Sequence, residues 1–150
     1  MHIAAWRSDV DVVRVLLNAS AEINARNSKG QTPLIKFALY LAQVCSTPVH
    51  GPEIHPRQRV IQMLIDGGAD VNAVDKQGGT ALHAAATTRK YGPRPLILDV
   101  MKLLVDAGAE VGATDAEGAT ALDILVGLQA QELIEPFVQY VSQHQEHSKK

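Results

Sequence analysis

The sequence predicts an all-α solenoid, a stack of about four helix–turn–helix units that carry exposed β-turn fingers. Three observations lead there. Short phrases recur at fixed steps, apolar residues between them fall at helical spacing, and aromatics make up only 4 % of the chain while alanine and leucine abound. Such side chains suit closely packed helices better than a β-sandwich. A repeat outranks other signals, because it determines the architecture of the whole chain.

The repeat has two independent markers. One is Gln31-Thr32-Pro33-Leu34, Gly79-Thr80-Ala81-Leu82 and Ala119-Thr120-Ala121-Leu122. The other is Ala19-Ser20-Ala21-Glu22-Ile23-Asn24-Ala25, Gly67-Gly68-Ala69-Asp70-Val71-Asn72-Ala73 and Ala107-Gly108-Ala109-Glu110-Val111-Gly112-Ala113. The second marker begins at residues 19, 67 and 107, so its steps are 48 and 40, and Thr32, Thr80 and Thr120 keep the same steps. Two markers that hold one offset define one unit.

Each phrase has a physical role. The threonine opens a first helix, because its hydroxyl can cap free backbone N–H groups and Pro33 fits a first helical turn. Ala81 to Ala86 is rich in small residues where a neighbouring helix must approach closely. A second helix follows from Val12-Val13-Val15-Leu16-Leu17, Val60-Ile61-Met63-Leu64-Ile65 and Val100-Met101-Leu103-Leu104-Val105. Gly68 and Gly108 stand where that helix should end in a left-handed residue, with Ser20 in their place in the first unit. Lys29-Gly30, Gln77-Gly78 and Glu117-Gly118 supply the finger turns.

These phrases, in this order, resemble the ankyrin repeat. The likeness is strongest in GGADVNAVDKQGGTALHAAA (67–86) and covers residues 1–143, which divide into units 1–26, 27–74, 75–114 and 115–143 before a polar tail, 144–150. The departures are specific. Against a family unit of about 33 residues, the second unit is about 15 too long and the third about 7 too long, both excesses lying between the two helices. Unit one enters at the leucine position of its first helix with Met1, so the chain is expected to be cut from a longer array unless something else covers that end. The fourth unit has Leu125 and Val126 where the pattern wants alanines. It also has Pro136 inside its second helix, where a kink or break near Glu135 is expected. Gln129, Gln131, Glu132, Gln139 and Gln143 look like a solvent-facing end.

Composition excludes several functions. A net charge of −2 with 20 % charged residues gives no reason to expect nucleic acid or an anionic membrane. No apolar run is long enough for a membrane span, and the start lacks the pattern of a secretory signal. The single cysteine excludes an internal disulfide and fits a reducing, cytoplasmic compartment.

The resemblance implies a protein-interaction module, a scaffold or adaptor rather than an enzyme, with no cofactor. It places partner-binding residues on the finger tips and on the concave face of the first helices. Carried over by position, these are Arg26, Lys29, Gln31, Lys76 and Gln77 on the fingers, and Trp6, Arg7, Leu39, Tyr40, Thr87 and Thr88 on the helices. Trp, Tyr and Arg are favoured hot-spot residues; equally, Trp6 could cover an apolar end and Tyr40 could tuck under its own loop. The partner is another protein, with weak self-association expected through the uncapped N-terminal end. His2 and His83 take the family's structural histidine position, with Asp123 substituting in the last unit, and Asn24 and Asn72 read as turn-stabilising amides that Gly112 lacks.

Two alternatives stay open: a regulatory ankyrin fragment of a larger enzyme, and a metal site in CSTPVHGPEIHP (45–56). Cys45, His50 and His55 are zinc-ligand types. Glu53 could serve as a fourth ligand, but the spacing by fives, the lack of a nearby second cysteine or further histidine, and Pro48, Pro52 and Pro56 favour a rigid loop that stops one helix and starts the next. The two inter-helix insertions should adjoin, with Val49, Ile54, Tyr91, Leu96 and Ile97 forming a small satellite cluster. Arg57, Arg59, Arg89, Lys90 and Arg94, with Tyr91, would form a second, basic surface there. The pair His144 and His147 reads as part of a solvated tail.

Overall fold

The computed structural model describes residues 10–43, 56–87 and 94–147. Among them lie seven helices and no strand: α1 (Val10–Asn18), α2 (Pro33–Gln43), α3 (Pro56–Asp66), α4 (Ala81–Ala86), α5 (Arg94–Asp106), α6 (Ala121–Gly127) and α7 (Gln131–His147). They form two layers. In one, α2 packs on α4 and α4 on α6; in the other, α1 packs on α3, α3 on α5 and α5 on α7. The layers meet where α2 touches α3, α4 touches α5, and α6 touches α7.

The core follows this arrangement. All six residues of α4 are buried, because that helix is sandwiched between α2 and α6. Alanines at 81, 84, 85 and 86 permit the close approach on both sides. The second layer contributes Val13, Val60, Ile61, Leu64, Ile97, Val100, Met101, Leu104, Leu133 and Phe137, each at most 1 % exposed. A fully buried side chain of this kind contributes about 1.5–3 kcal/mol.

Helix starts are fixed by threonine. Thr80 accepts from the His83 backbone N–H and its own N–H donates to Nδ1 of His83, closing a reciprocal box at the start of α4. Thr120 and Asp123 make the same box at α6, with the Thr120 N–H donating to the carboxylate at 2.9 Å. At α2, Thr32 accepts from the N–H of Ile35 at 3.3 Å, while Pro33 occupies the first turn.

Helix ends are fixed by left-handed residues. Gly68 and Gly108 have φ of +90° and +92°, and their N–H groups donate to Ile65 and Val105, while the next residues donate to Leu64 and Leu104. Those paired bonds satisfy carbonyls that a helix end would otherwise strand. Ser20 does the same at φ +57°, and so does Gln129 at φ +53°, which turns the chain directly from α6 into α7.

The structure sharpens several expectations. Helix α2 runs for 11 residues against 6 in α4 and 7 in α6, α3 begins at Pro56, and α5 begins at Arg94 and takes in Leu96 to Leu98. Three expectations are corrected. Of the kink or break expected near Glu135, the break does not occur: helix α7 is continuous from Gln131 to His147 with Pro136 inside it. The bond lost at Pro136 is the one to the carbonyl of Glu132, and both residues lie on the exposed side where water can satisfy it. Ile97 is fully buried in the main core and Leu96 packs against it, so these two do not form a separate cluster. His144 belongs to α7, where it stacks on Tyr140 at 6.1 Å instead of lying in a free tail. Val49, Ile54 and Tyr91 lie outside the described residues.

Candidate protein-interaction surface

Three fingers project from the ends of the first-layer helices, and each is built on one acidic or amide side chain. Oδ1 of Asn27 accepts the N–H groups of Lys29 and Gln31 at 2.9 and 3.0 Å. Asp75 does the same for Gln77 and Gly79 at 2.9 and 3.0 Å. Asp115 repeats it for Glu117 and Ala119 at 2.9 and 3.0 Å. Backbone bonds close each turn, from residue 27 to 31, 75 to 79 and 115 to 119. A residue in the left-handed region is required at each tip, and Gly30, Gly78 and Gly118 provide it with φ of +76°, +74° and +78°. Residues 27, 75 and 115 keep the steps of 48 and 40, so the repeat itself was the signal that could have revealed them.

The fingers are joined into a row. The N–H of Lys76 donates to the carbonyl of Lys29 at 3.1 Å, and the N–H of Ala116 donates to that of Gln77 at 2.9 Å. Below the tips, a second set of bonds ties successive exit turns. Asn24 donates to the Gly68 carbonyl and accepts from the Asp70 N–H at 3.2 and 2.9 Å. Asn72 does likewise with Gly108 and Glu110 at 3.0 and 2.9 Å. These amides therefore act across neighbouring turns and not within their own.

His83 adds a third link. A backbone carbonyl can only accept, so Nε2, 3.1 Å from the Ala119 carbonyl, carries the ring proton and donates it. That leaves Nδ1 free to accept from the Thr80 N–H at 3.2 Å. Asp123, at the matching place, reaches only Thr120. The two hydrogen bonds from Thr120, hydroxyl first and N–H second, hold its carboxyl below 3.8.

Between the fingers and the first-layer helices runs a groove of about 160 Å³, lined among others by Ile35, Leu39, Gln77, Ala84, Thr87 and Ile124. The predicted binding residues distribute unevenly around it. Lys29, Lys76 and Gln77 are exposed at the tips, and Leu39, Tyr40 and Thr87 are half-buried on the helices. Tyr40 stacks on Phe37 at 6.1 Å, and the Thr87 hydroxyl donates to the Ala84 carbonyl at 2.7 Å. Gln31 is a correction: it is only 5 % exposed, with its side-chain oxygen 3.2 Å from the Asn27 amide, so it supports the finger from within. Arg26 is exposed, yet its guanidinium donates to the carbonyls of Gly30 and Val74 and so staples the first finger to the second. Trp6, Arg7 and Thr88 lie outside the described residues.

On the other edge, Arg57 is half-buried and Arg59 exposed. Arg89, Lys90, Tyr91 and the side chain of Arg94 lie outside the described residues, as do Cys45, His50 and His55. Among the described residues no three His, Cys, Asp or Glu side chains gather as a metal site would require. Nor is any described helix long and apolar enough to cross a membrane. A cluster missed by sequence reasoning joins α5 to α7: the Tyr140 hydroxyl donates to Asp106, which pushes the phenol up to about 12, and Lys102 Nζ sits 5.3 Å from the ring centre. The spacing of 34 residues between Asp106 and Tyr140 leaves no local pattern that could have shown it.

A row of turns bonded tip to tip above paired helices is the build of a stacked helical repeat. The comparison with known families agrees. A model of ankyrin repeats in many copies matches residues 1–42 and 52–91, and one of the single ankyrin repeat matches 77–116; the chain belongs to the ankyrin repeat family, whose members are generally protein-interaction modules. It is similar to ankyrin repeat and SOCS box protein 6 of Pongo abelii, 36 % identical over 89 residues, which are 59 % of this chain and 18 % of that protein. Over 90 residues, 60 % of this chain, it is 30 % identical to the E3 ubiquitin-protein ligase KEG of Arabidopsis thaliana, and these are 5 % of KEG. Over 117 residues, 65 % of this chain, it is 29 % identical to the neurogenic locus notch homolog protein 1 of Xenopus tropicalis, again 5 % of the relative. The chain thus spans less than a fifth of the length of these relatives.

Proposed function

We propose that the chain is an intracellular scaffold or adaptor: a four-unit ankyrin solenoid, 1–26, 27–74, 75–114 and 115–143, with long inter-helix insertions in units two and three. It binds a protein partner through the finger tips and the concave helix face. Lys29, Lys76, Gln77, Leu39, Tyr40 and Thr87 lead that surface, with Trp6, Arg7 and Thr88 extending it. Arg57 and Arg59, with Arg89, Lys90, Tyr91 and Arg94, form a second surface on the insertion edge.

The observation that carries this reading is the backbone bonding between fingers, Lys76 to Lys29 and Ala116 to Gln77. It supports a row of side chains already held in place, so that little conformational entropy is lost on binding. The test is quantitative affinity capture with the wild type, a Leu39→Arg/Thr87→Arg variant and an Arg57→Glu/Arg59→Glu variant. Partners of the concave face should vanish with the first variant and persist with the second. An identical set from all three baits would show that neither surface is used.

A further inference from the structure

Charge along the groove is sorted, and the sorting names a partner chemistry. At the end formed by the first two fingers and α2 stand four cations: Arg26, Lys29, Lys36 and Lys76. Lys29 and Lys76 project at the tips of fingers that are bonded to one another, and Lys36 lies half-buried on α2, one turn after Thr32. Arg26 is tethered through Nη1 to the Gly30 and Val74 carbonyls. One acid opposes them here, Asp75, and one of its oxygens is occupied by two backbone N–H groups. At the other end the sign reverses: Asp115 and Glu117 sit on the third finger, and Asp123 opens α6.

The floor between these ends is narrow. Ile35, Leu39, Ala84 and Ile124 give it an apolar strip, beside polar groups that include the carboxylates of Asp75 and Asp115, each already accepting two backbone N–H groups. Its volume of about 160 Å³ is well under the roughly 300 Å³ at which small-molecule pockets begin. Such a space fits one side chain of a passing segment, not a whole ligand. Exposed charges of one sign beside it steer and orient an oppositely charged partner.

We propose that this groove takes an extended acidic peptide segment. Its carboxylates would face Lys29, Lys36 and Lys76, one apolar side chain would enter between Leu39 and Ile124, and its far end, over Glu117 and Asp123, would carry no acid. The proposal rests on the concave-face reading above and adds the sign and direction of the partner.

The test uses the full chain as bait for a display library of random short peptides, at about 0.15 M salt, where exposed charges are screened beyond about 8 Å. Selected peptides should be rich in Asp and Glu. Their affinity should fall about tenfold or more in Lys29→Glu/Lys76→Glu and also weaken with added salt, whereas Lys102→Glu, on α5 beside Tyr140, should change it less than about twofold. Thr87→Trp and Leu39→Trp both fill the floor without adding charge; the first changes a polar position and serves if the second unfolds, as circular dichroism will show. Neutral or basic peptides that are lost in Thr87→Trp would overturn the acidic partner and leave the concave-face reading standing. Acidic peptides indifferent to both Thr87→Trp and the lysine reversals would overturn both, as would recovery of no peptide. Self-association abolished by Thr87→Trp, in place of peptide binding, would assign the groove to a second copy and overturn the acidic segment.

Discussion

The stretches around Thr80 and Thr120 carry the same design, yet only the first couples one unit to the next. Both threonines close a reciprocal box with the third residue of a short helix. In the first that residue is His83, whose far nitrogen crosses to Ala119; in the second it is Asp123, whose carboxylate ends on Thr120. The fingers differ in the same way. A Cβ on Gly78 would lie 2.9 Å from the Ala116 nitrogen, whereas one on Gly118 would meet nothing within 4 Å. The amides differ too, since Asn72 bridges to Gly108 and Glu110 while Gly112 has no side chain to do so. Local capping and coupling between units are therefore separate properties, added by different atoms of neighbouring residues.

The largest expected effect tests the fingers. Gly78→Ala and Gly118→Ala both force an ordinary side chain into the left-handed region, which costs about 1 kcal/mol. Gly78→Ala must also displace the backbone of the third finger, so it should lose about 3 kcal/mol in all. Urea denaturation at unchanged slope measures the difference, and exchange of the Ala116 amide should speed up in the first variant alone. Equal losses would mean that the tip-to-tip bond does not hold in solution. Next, His83→Ala leaves the buried Thr80 N–H without an acceptor and removes the link to Ala119, for a loss of about 2 kcal/mol. Asp123→Ala should cost less, because its partners are open to water. If the two cost the same, the crossing bond contributes nothing. Asn72→Ala gives up two exposed bonds to the next turn and should lose about 1 kcal/mol, with faster exchange at Glu110.

What could be read in the sequence was what acts over three or four residues. Thr80 and Thr120 as helix openers, Gly68 and Gly108 as helix ends, and Gly30, Gly78 and Gly118 as finger turns are all local devices with fixed spacing. What could not be read was where a side chain goes once two units meet. Arg26 counts as a finger-tip cation by position, but the neighbouring strand of backbone at Val74 offers it an acceptor. Gln31 counts as exposed by position, but Asn27 draws it inward. Pro136 breaks helices in general; here it stands where the missing bond faces water. The sorting of charge along the groove falls between these cases, since each residue was legible and their common side was not.

The smallest effect isolates the box that does not couple. Thr120 donates its hydroxyl hydrogen to Asp123 at 2.7 Å and its N–H at 2.9 Å, and both bonds favour the ionised carboxyl. The folded pKa therefore lies below the 3.8 of the unfolded chain, with the hydroxyl as the larger cause. A carboxyl depressed in this way adds stability that is complete above 3.8 and is lost as the pH falls through the folded value. Carbon-detected NMR of the Asp123 side chain should show a midpoint below 3.8 in the wild type. Thr120→Ala should bring it back part of the way, because the N–H bond remains when the hydroxyl is gone. The urea midpoint of Asp123→Asn should fall less steeply than that of the wild type as the pH drops below 4, and only there. His83→Ala should leave this window untouched, since its box and that of Asp123 share no hydrogen bond. A titration of Asp123 that moved with His83 would mean that the two boxes are linked through the Ala119 turn, and the separation of capping from coupling would have to be abandoned.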